Sequence, residues 1–321
     1  VDDIFQVIWV GLRYWEPTKV YRSLNVNINQ WTGWNFGGES TYKGGNINLN
    51  LQLPNYWYVG GGINWNGENL SVSELRGGPA LKLPGGWNYW LSLNSDGRKK
   101  LIVGVSNSAY IGNYNSSVSH NYSLSLTYKP LKSLLLRVSP SYSFSKSELS
   151  YVDNISTVSD TRYVRGHLNR NTWVMSLRVE YSINPELSVQ YYGRPYFTSG
   201  KYSRFKYITQ PRAQKYTDRF LTYTDSQISY DADNEVYLVD ENTDGTTDYS
   251  FDNRNFNYLN LQSNLIIRWE YRPGSTVYFV WTHGKENFES VYSNSIGNDI
   301  DNLWDSHPHN IFLVKFSYRF N

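Results

Sequence analysis

The 321-residue chain contains no cysteine and no long apolar run. Without cysteine the fold cannot depend on disulfide bonds, which suits an envelope protein and equally many cytosolic proteins. No segment reaches the ~18 apolar residues of a membrane-spanning helix, so helical spans are excluded. A β-barrel is not excluded, because a barrel strand turns an apolar side chain to lipid only at every second position. The net charge of +2 lacks the concentrated basic face of a nucleic-acid-binding protein, so no nucleic-acid partner is expected.

Aromatic residues, in contrast, are abundant, with 29 Tyr and 12 Trp. They lie mostly within or at the ends of strand-like runs. Tyr and Trp at these places are typical of the two aromatic girdles of a membrane barrel.

The clearest local pattern is a two-residue alternation near the C-terminus. One face of this predicted strand is apolar and largely aromatic: Phe312, Val314, Phe316, Tyr318 and Phe320. The other face is mostly polar: Leu313, Lys315, Ser317 and Arg319. Such a strand is typical of the end of an outer-membrane barrel, with its apolar face toward lipid. A soluble sandwich would bury the same face in a core.

Similar alternation recurs along the chain, and the connections between the runs alternate in length. The short ones carry turn residues: 16–18, 54–55, 96–97, 130–132, 184–185 and 273–274. The long ones lie between them: 31–40, 68–86, 111–117, 148–169, 198–256 and 289–308. Membrane barrels alternate short periplasmic turns with long extracellular loops, whereas a Greek-key sandwich mixes its loop lengths.

We therefore predict an all-β protein, an antiparallel transmembrane outer-membrane β-barrel. The runs number about thirteen, whereas single-chain bacterial barrels have even strand numbers. We expect at least one strand before Val1 and a complete barrel of about 14–18 strands. Residues 1–321 would be its C-terminal barrel domain, with 198–256 as a long extracellular insertion. A large soluble β-sandwich that binds glycans is the alternative.

Three segments, 74–87, 268–281 and 312–320, resemble an uncharacterised outer-membrane family of Gram-negative bacteria. In that family the barrel follows an N-terminal domain like carbohydrate-binding module family nine. The resemblance implies a location in the outer membrane, contact with its lipid and lipopolysaccharide, and a further N-terminal domain linked to glycans. It implies no established activity.

The segment 240–248 has the pattern D-x-N-x-D-G-x-x-D, which begins like a calcium-binding loop. Its candidate ligands alternate along the chain: Asp240, Asn242, Asp244, Thr246 and Asp248. Position twelve is Phe251 instead of the bidentate Glu of an EF-hand. A solvated hairpin tip, where Asp, Asn and Gly are common, is the other interpretation.

Charged residues on the polar faces of predicted strands are candidates for the lumen: Arg178, Glu180, Arg194, Arg268, Glu270 and Arg272. They could set the selectivity of a pore, as charged rings do in channels. They could equally form ion pairs that brace the wall. The loop 74–87, rich in Gly and Pro, is expected to fold inward and narrow the pore, and a surface loop with stiff turns is the other interpretation.

Catalysis has little support in the sequence. Carboxylate pairs occur at Glu286 and Glu289 and at Asp299 and Asp301, and one close histidine pair occurs at His307 and His309. No third metal ligand and no standard catalytic motif accompanies them. The prediction is a passive pore or scaffold that is not an enzyme. A plugged structural subunit of a larger outer-membrane complex and a barrel-type hydrolase are the alternatives.

Overall fold

The computed structural model describes residues 3–157, 160–293 and 295–320. The strands of this part of the chain are β1 (Asp3–Tyr14), β2 (Ser23–Asn35), β3 (Ser40–Gln52), β4 (Tyr58–Asn66), β5 (Asn69–Ser71), β6 (Leu81–Leu83), β7 (Gly86–Asn94), β8 (Leu101–Gly112), β9 (Ser117–Leu131), β10 (Leu134–Ser156), β11 (Thr161–Ser182), β12 (Leu187–Ile208), β13 (Phe220–Thr222), β14 (Ile228–Asp231), β15 (Val236–Val239), β16 (Tyr249–Asp252), β17 (Phe256–Arg272), β18 (Ser275–Glu289) and β19 (His309–Ser317). One α-helix, α1 (Ile296–Asp305), precedes the last strand. None of the described helices is long and apolar enough to cross a membrane.

Thirteen strands form the continuous path of one antiparallel sheet, in which each strand pairs with the next strand of the path, and the short β13 adds a fourteenth strand beside β12. We call this sheet the wall; its order is β1-β2-β3-β4-β7-β8-β9-β10-β11-β12-β17-β18-β19. The all-β antiparallel prediction is therefore confirmed. Closure is not found, because no pairing within the described residues joins β1 to β19. With an odd number of antiparallel strands, these two edges run in the same direction.

The wall has an apolar face and a polar face, because its strands alternate with a period of two. The apolar face carries side chains such as Ile47, Ile63, Leu91, Met175 and Leu265. The polar face carries side chains such as Asn46, Asn64, Asn88, Ser176 and Asn264. Ile63 is 52% exposed, whereas its neighbour Asn64 is half-buried. The wall thus leaves its apolar face more exposed than its polar face.

The solvent-accessible surface area agrees with the exposure of the apolar face. It amounts to 19216 Å², whereas a compact soluble monomer of the same mass exposes about 13,700 Å². The open edges contribute, since β1 is exposed along nearly its whole length and β19 along all of it. Hydrophobic side chains across the apolar face contribute as well.

Three predicted boundaries were wrong. The region 148–169 is not a loop, since β10 and β11 continue through most of it. Its alternating aromatic and β-branched residues, such as Tyr151 and Val152, favour strands. Likewise β12 continues to Ile208, so the insertion predicted at 198–256 begins later. The last strand ends at Ser317, which pairs with Thr276 beside the start of β18, so the strand predicted to continue to Phe320 is shorter.

Beyond the wall, β10, β11 and β12 project past their neighbours and carry a compact second part. We call residues 67–85, 147–157, 160–168 and 201–255 the head. A three-stranded sheet, β14-β15-β16, packs on one side of the projecting strands, with a buried core of Val152, Val164, Phe205, Tyr223, Val239 and Phe251. The loop that contains β5 and β6 packs on the other side, around Leu75, Leu81 and Ile208.

Register shifts mark the base of the head. They fall between Ser147 and Ser150 on β10 and between Arg165 and His167 on β11. Such bulges bend strands and redirect side chains. With the exceptions of Ala109, Leu259 and Leu303, the buried hydrophobic side chains of the described residues lie in the head.

Candidate functional site

The polar face of the wall is covered by hydrogen bonds between uncharged side chains. Asparagine amides pair across neighbouring strands, from Asn29 to Asn46 at 2.7 Å and from Asn64 to Asn88 at 2.5 Å. Farther along the sheet, the hydroxyls of Ser106 and Ser123 are 2.6 Å apart. Cross-strand pairs of this kind stabilise a sheet. They also leave a continuous surface that can exchange hydrogen bonds with water or with hydroxylated solutes.

The predicted lumen charges lie near the short-turn end of the wall and form separate local pairs. Arg178 Nε is 2.6 Å from Glu180 Oε1, and Arg268 Nη2 is 2.6 Å from Glu270 Oε2. No ion pair of the described residues joins these two groups. Each carboxylate is thus already balanced by an arginine on its own strand.

The two remaining arginines of that prediction contact aromatic rings. Arg272 donates a 2.9 Å hydrogen bond to the Tyr318 hydroxyl. The guanidinium of Arg194 is 5.9 Å from the ring centroid of Tyr196. The role of these charges in selectivity stays a prediction.

In the head, a fully buried arginine joins two loops. Arg219 donates from Nε to the Ala213 carbonyl at 2.9 Å, from Nη1 to the Lys82 carbonyl at 2.9 Å and from Nη2 to Glu68 Oε1 at 3.0 Å. Burial alone would raise the pKa of Glu68, but hydrogen bonds from Arg219 and Lys82 outweigh it and lower that pKa. The predicted inward loop 74–87 thus lies mostly in the head, fixed against the segment that follows β12.

Contacts of the segment that follows β12 reach across the loop end of the wall. Arg212 forms a 2.5 Å ion pair with Glu39, between β2 and β3, and Tyr216 stacks on Tyr114, after β8, at 5.6 Å. The segment that follows β12, the tenth strand of the wall, is thereby linked to the hairpin of β2 and β3, its second and third strands. Seven strand spacings separate the third and tenth strands, about 34 Å on a flat sheet. The head therefore spans this end of the wall.

A charge cluster lies at the base of the head. Glu148 Oε1 is 2.7 Å from His167 Nδ1 and 2.5 Å from Arg204 Nη2, and its Oε2 accepts a 2.8 Å bond from the buried Lys206. Burial acts to raise the pKa of Glu148, but the bond from Lys206 and the surrounding positive charge lower it. Within the described residues His167 bonds to Glu148, Asn169 and Arg204, none of which offers a nucleophilic hydroxyl.

This cluster was not foreseen from the sequence. Its other members follow Glu148 by 19 to 58 residues along the chain. They converge through the register shifts of three strands, which leave no signal in the hydrophobic pattern.

Another buried guanidinium holds the loop before β6. Arg165 donates to the carbonyls of Val164 at 2.8 Å and Glu74 at 3.1 Å. Burial lowers the pKa of Arg165. Asn154 adds a 2.7 Å bond from Nδ2 to the Leu75 carbonyl, so β10 and β11 both fix this loop.

The predicted calcium loop forms the exposed connection between β15 and β16. Its side chains accept bonds from its own backbone: Gly245 N to Asp240 Oδ2 at 2.8 Å, Asp244 N to Asn242 Oδ1 at 2.9 Å, Thr246 N to Asp244 Oδ1 at 2.8 Å and Glu241 N to Asp248 Oδ2 at 2.8 Å. No group of three or more His, Cys, Asp or Glu in the described residues is arranged to hold a metal ion. Calcium binding stays a prediction.

The other carboxylates and histidines noted in the sequence have local roles or lie in solvent. Glu289 accepts a 3.1 Å bond from Asn287, and Glu286 accepts a 3.4 Å bond from Tyr258. Asp299 is buried and accepts a 2.9 Å bond from Asn257. The exposed residues are Glu286, Asp301, His307 and His309.

Fold and site together define an all-β protein with a thirteen-strand antiparallel wall and a head across one end. The chain belongs to the family described as "Domain of unknown function (DUF5916)", which matches residues 3–320. None of the curated proteins compared with the chain matches it. The match shows a family of unknown function, whereas the expected outer-membrane barrel and the relationship to carbohydrate-binding module family nine stay predictions.

Proposed function

We propose that the wall is part of a transmembrane β-barrel in the outer membrane of a Gram-negative bacterium, and that the barrel is a passive pore narrowed by the head. The observation that carries this proposal is the exposed apolar face. Leaving roughly 1,000 Å² of apolar surface in water forgoes about 25 kcal/mol, which exceeds the 5–15 kcal/mol that stabilises a typical domain. Contact with lipid and lipopolysaccharide removes that cost.

The two unpaired edges support a larger barrel. Open sheet edges are not tolerated in hydrocarbon, because their backbone groups would lack hydrogen-bond partners. Since β1 and β19 run in the same direction, an odd number of additional antiparallel strands between them completes the ladder. The total is then even, as in bacterial single-chain barrels.

A pore agrees with the polar face, which would line the lumen with amides and hydroxyls. Uncharged groups of this kind suit hydroxylated solutes such as sugars. A role in glycan handling would follow from the N-terminal domain that the family resemblance implies.

Single-channel conductance in a planar bilayer tests the pore. We expect stable openings for the wild type that sugars partly block, and larger openings for Arg219→Met, which loosens the head. The control is Lys215→Met, which removes an exposed ion pair with Asp218 inside the same segment and should conduct like the wild type. If the wild type and the Arg219→Met variant both fold and insert but never conduct, the proposal of a pore is wrong.

The second candidate is a plugged structural subunit of an outer-membrane complex. It is favoured by the separate hydrophobic core of the head and by the buried Arg219 clamp, which make the head a fixed cap. Stable co-purification with other outer-membrane proteins, together with absent conductance, would support this candidate.

A further inference from the structure

Helix α1 is fixed against the apolar face of the wall. Leu303 is almost fully buried, and the Asp299 carboxylate accepts the 2.9 Å bond from Asn257 on β17. Lys285 on β18 donates from Nζ to the carbonyl of Trp304. The helix is thereby held over β17 and β18 at the loop end of the wall.

Beside α1, the side chains on the apolar face change from apolar to polar between two neighbouring rows of residues. The last apolar row consists of partners on β11, β12 and β17: Trp173, Phe197 and Leu259. The next row toward the loops consists of Asn171, Ser199 and Asn257. If the wall spans a membrane, this step is where hydrocarbon gives way to the polar interface.

A groove between α1 and the wall crosses this step. Its apolar end has a volume of about 390 Å³, within the usual range of ligand pockets. The side chains lining this end include Met175, Pro195, Leu261, Ile300 and Trp304. Its polar end, of about 210 Å³, is lined by groups that include Asn171, Ser199, Ser293 and Asp299. Trp173, Phe197 and Ile296 line both ends, so the two ends adjoin each other.

We propose that this groove binds one acyl chain of a membrane lipid whose head region donates hydrogen bonds through hydroxyl or amine groups. The proposal rests on the proposed function, because the apolar face meets lipid only if the wall spans the membrane. An almost wholly apolar end offers no hydrogen-bond partner to a sugar or an ion, whereas an acyl chain fills it with van der Waals contacts. The Asp299 carboxylate at the other end complements hydrogen-bond donors and repels an anionic head.

Native mass spectrometry after repeated detergent exchange tests whether the groove binds an acyl chain, with phosphatidylethanolamine as the probe. The wild type should retain one lipid molecule. Ile300→Trp, which fills the groove, should retain at least ten-fold less. Leu91→Trp, which places the same side chain on the apolar face far from α1, should retain as much as the wild type. Equal retention by the two variants would overturn the proposal, as would a lipid-free dimer, which would assign the groove to a second copy of the chain.

A second comparison tests the head region. Monopalmitoylglycerol, which has hydroxyl donors, should be retained better than palmitate, which has a carboxylate. Asp299→Asn should reduce that preference, because it removes the charge that repels palmitate. An unchanged preference would contradict the assigned role of Asp299.

Insertion of the wild type into phosphatidylethanolamine–phosphatidylglycerol vesicles is measured first. A protein that does not insert would overturn the proposed function and this inference together. A protein that inserts, while Ile300→Trp and Leu91→Trp retain lipid equally, would overturn this inference alone.

Discussion

Leu81 and Leu91 are the same residue type ten positions apart, yet Leu81 is fully buried in the head and Leu91 is 59% exposed on the wall. The head buries its apolar side chains in a core, as a water-soluble domain does. The wall exposes them and half-buries its asparagines and serines. One chain therefore contains two opposite solutions for placing apolar surface, and the difference indicates which solvent each part meets. Four predictions test this comparison.

The largest effect is expected for the buried clamp of the head. Arg219→Met should cost the head about 4 kcal/mol, because breaking a buried ion pair leaves its carboxylate and carbonyl partners without a donor. Arg212→Met, which removes an exposed pair, should cost under about 1 kcal/mol. Native-state hydrogen exchange of head amides measures both. If the two substitutions destabilise the head by similar amounts, the buried contacts of Arg219 do not stabilise the head as proposed.

Replacing the two leucines tests the comparison directly. Leu81→Ala should destabilise the head by about 3 kcal/mol, because it leaves a cavity in a packed core. Leu91→Ala should cost under about 1 kcal/mol in detergent, since no packed neighbours surround the removed atoms. Denaturant unfolding followed separately in the head and the wall checks this. Equal losses would mean that the wall has a packed core after all.

A charged side chain placed on either face of β4 tests whether the apolar face of the wall meets lipid or water. Ile63→Lys should destabilise the vesicle-inserted protein by about 2 kcal/mol, because it places an ammonium group against lipid. Asn64→Lys, on the polar face, should change stability by less than about 0.5 kcal/mol. Urea unfolding from vesicles measures the difference. If both substitutions are neutral, the apolar face meets water and the membrane proposal fails.

The smallest effect is a pH dependence of the head. The pKa values of Glu68, Glu148 and Glu241 lie below the ordinary value of 4.5, because hydrogen bonds from Arg219, Lys206 and Arg162 outweigh burial. Their contribution to stability is complete above about pH 4.5 and is lost as the pH falls through the lowered values. Hydrogen exchange of the head should therefore accelerate below pH 4.5 before that of the wall. Simultaneous loosening of both parts would contradict this assignment.

The sequence was informative where structure depends on neighbouring residues along the chain. The alternation in β3, β11 and β17 predicted these strands and their two faces, and turn residues located the short connections. The sequence also placed the ion pairs of Arg178 with Glu180 and Arg268 with Glu270 on single strands, where a spacing of two brings side chains to one face.

The head was not foreseen, because its contacts join distant segments. Nothing near Arg219 in the sequence marks it as buried, since its partner Glu68 is 151 residues away. The cluster around Glu148 likewise depends on register shifts between strands. Such shifts are set by packing against the head, and no local pattern encodes them.

By itself, the sequence determined an all-β antiparallel meander with two chemically distinct faces, because the period of two is a property of each strand. Only the tertiary structure decided which face is covered and where the chain has a core. It also decided how far the head reaches and that α1 forms a groove at the polar boundary. These features depend on the register and curvature of thirteen strands, and therefore on contacts between residues far apart in the chain.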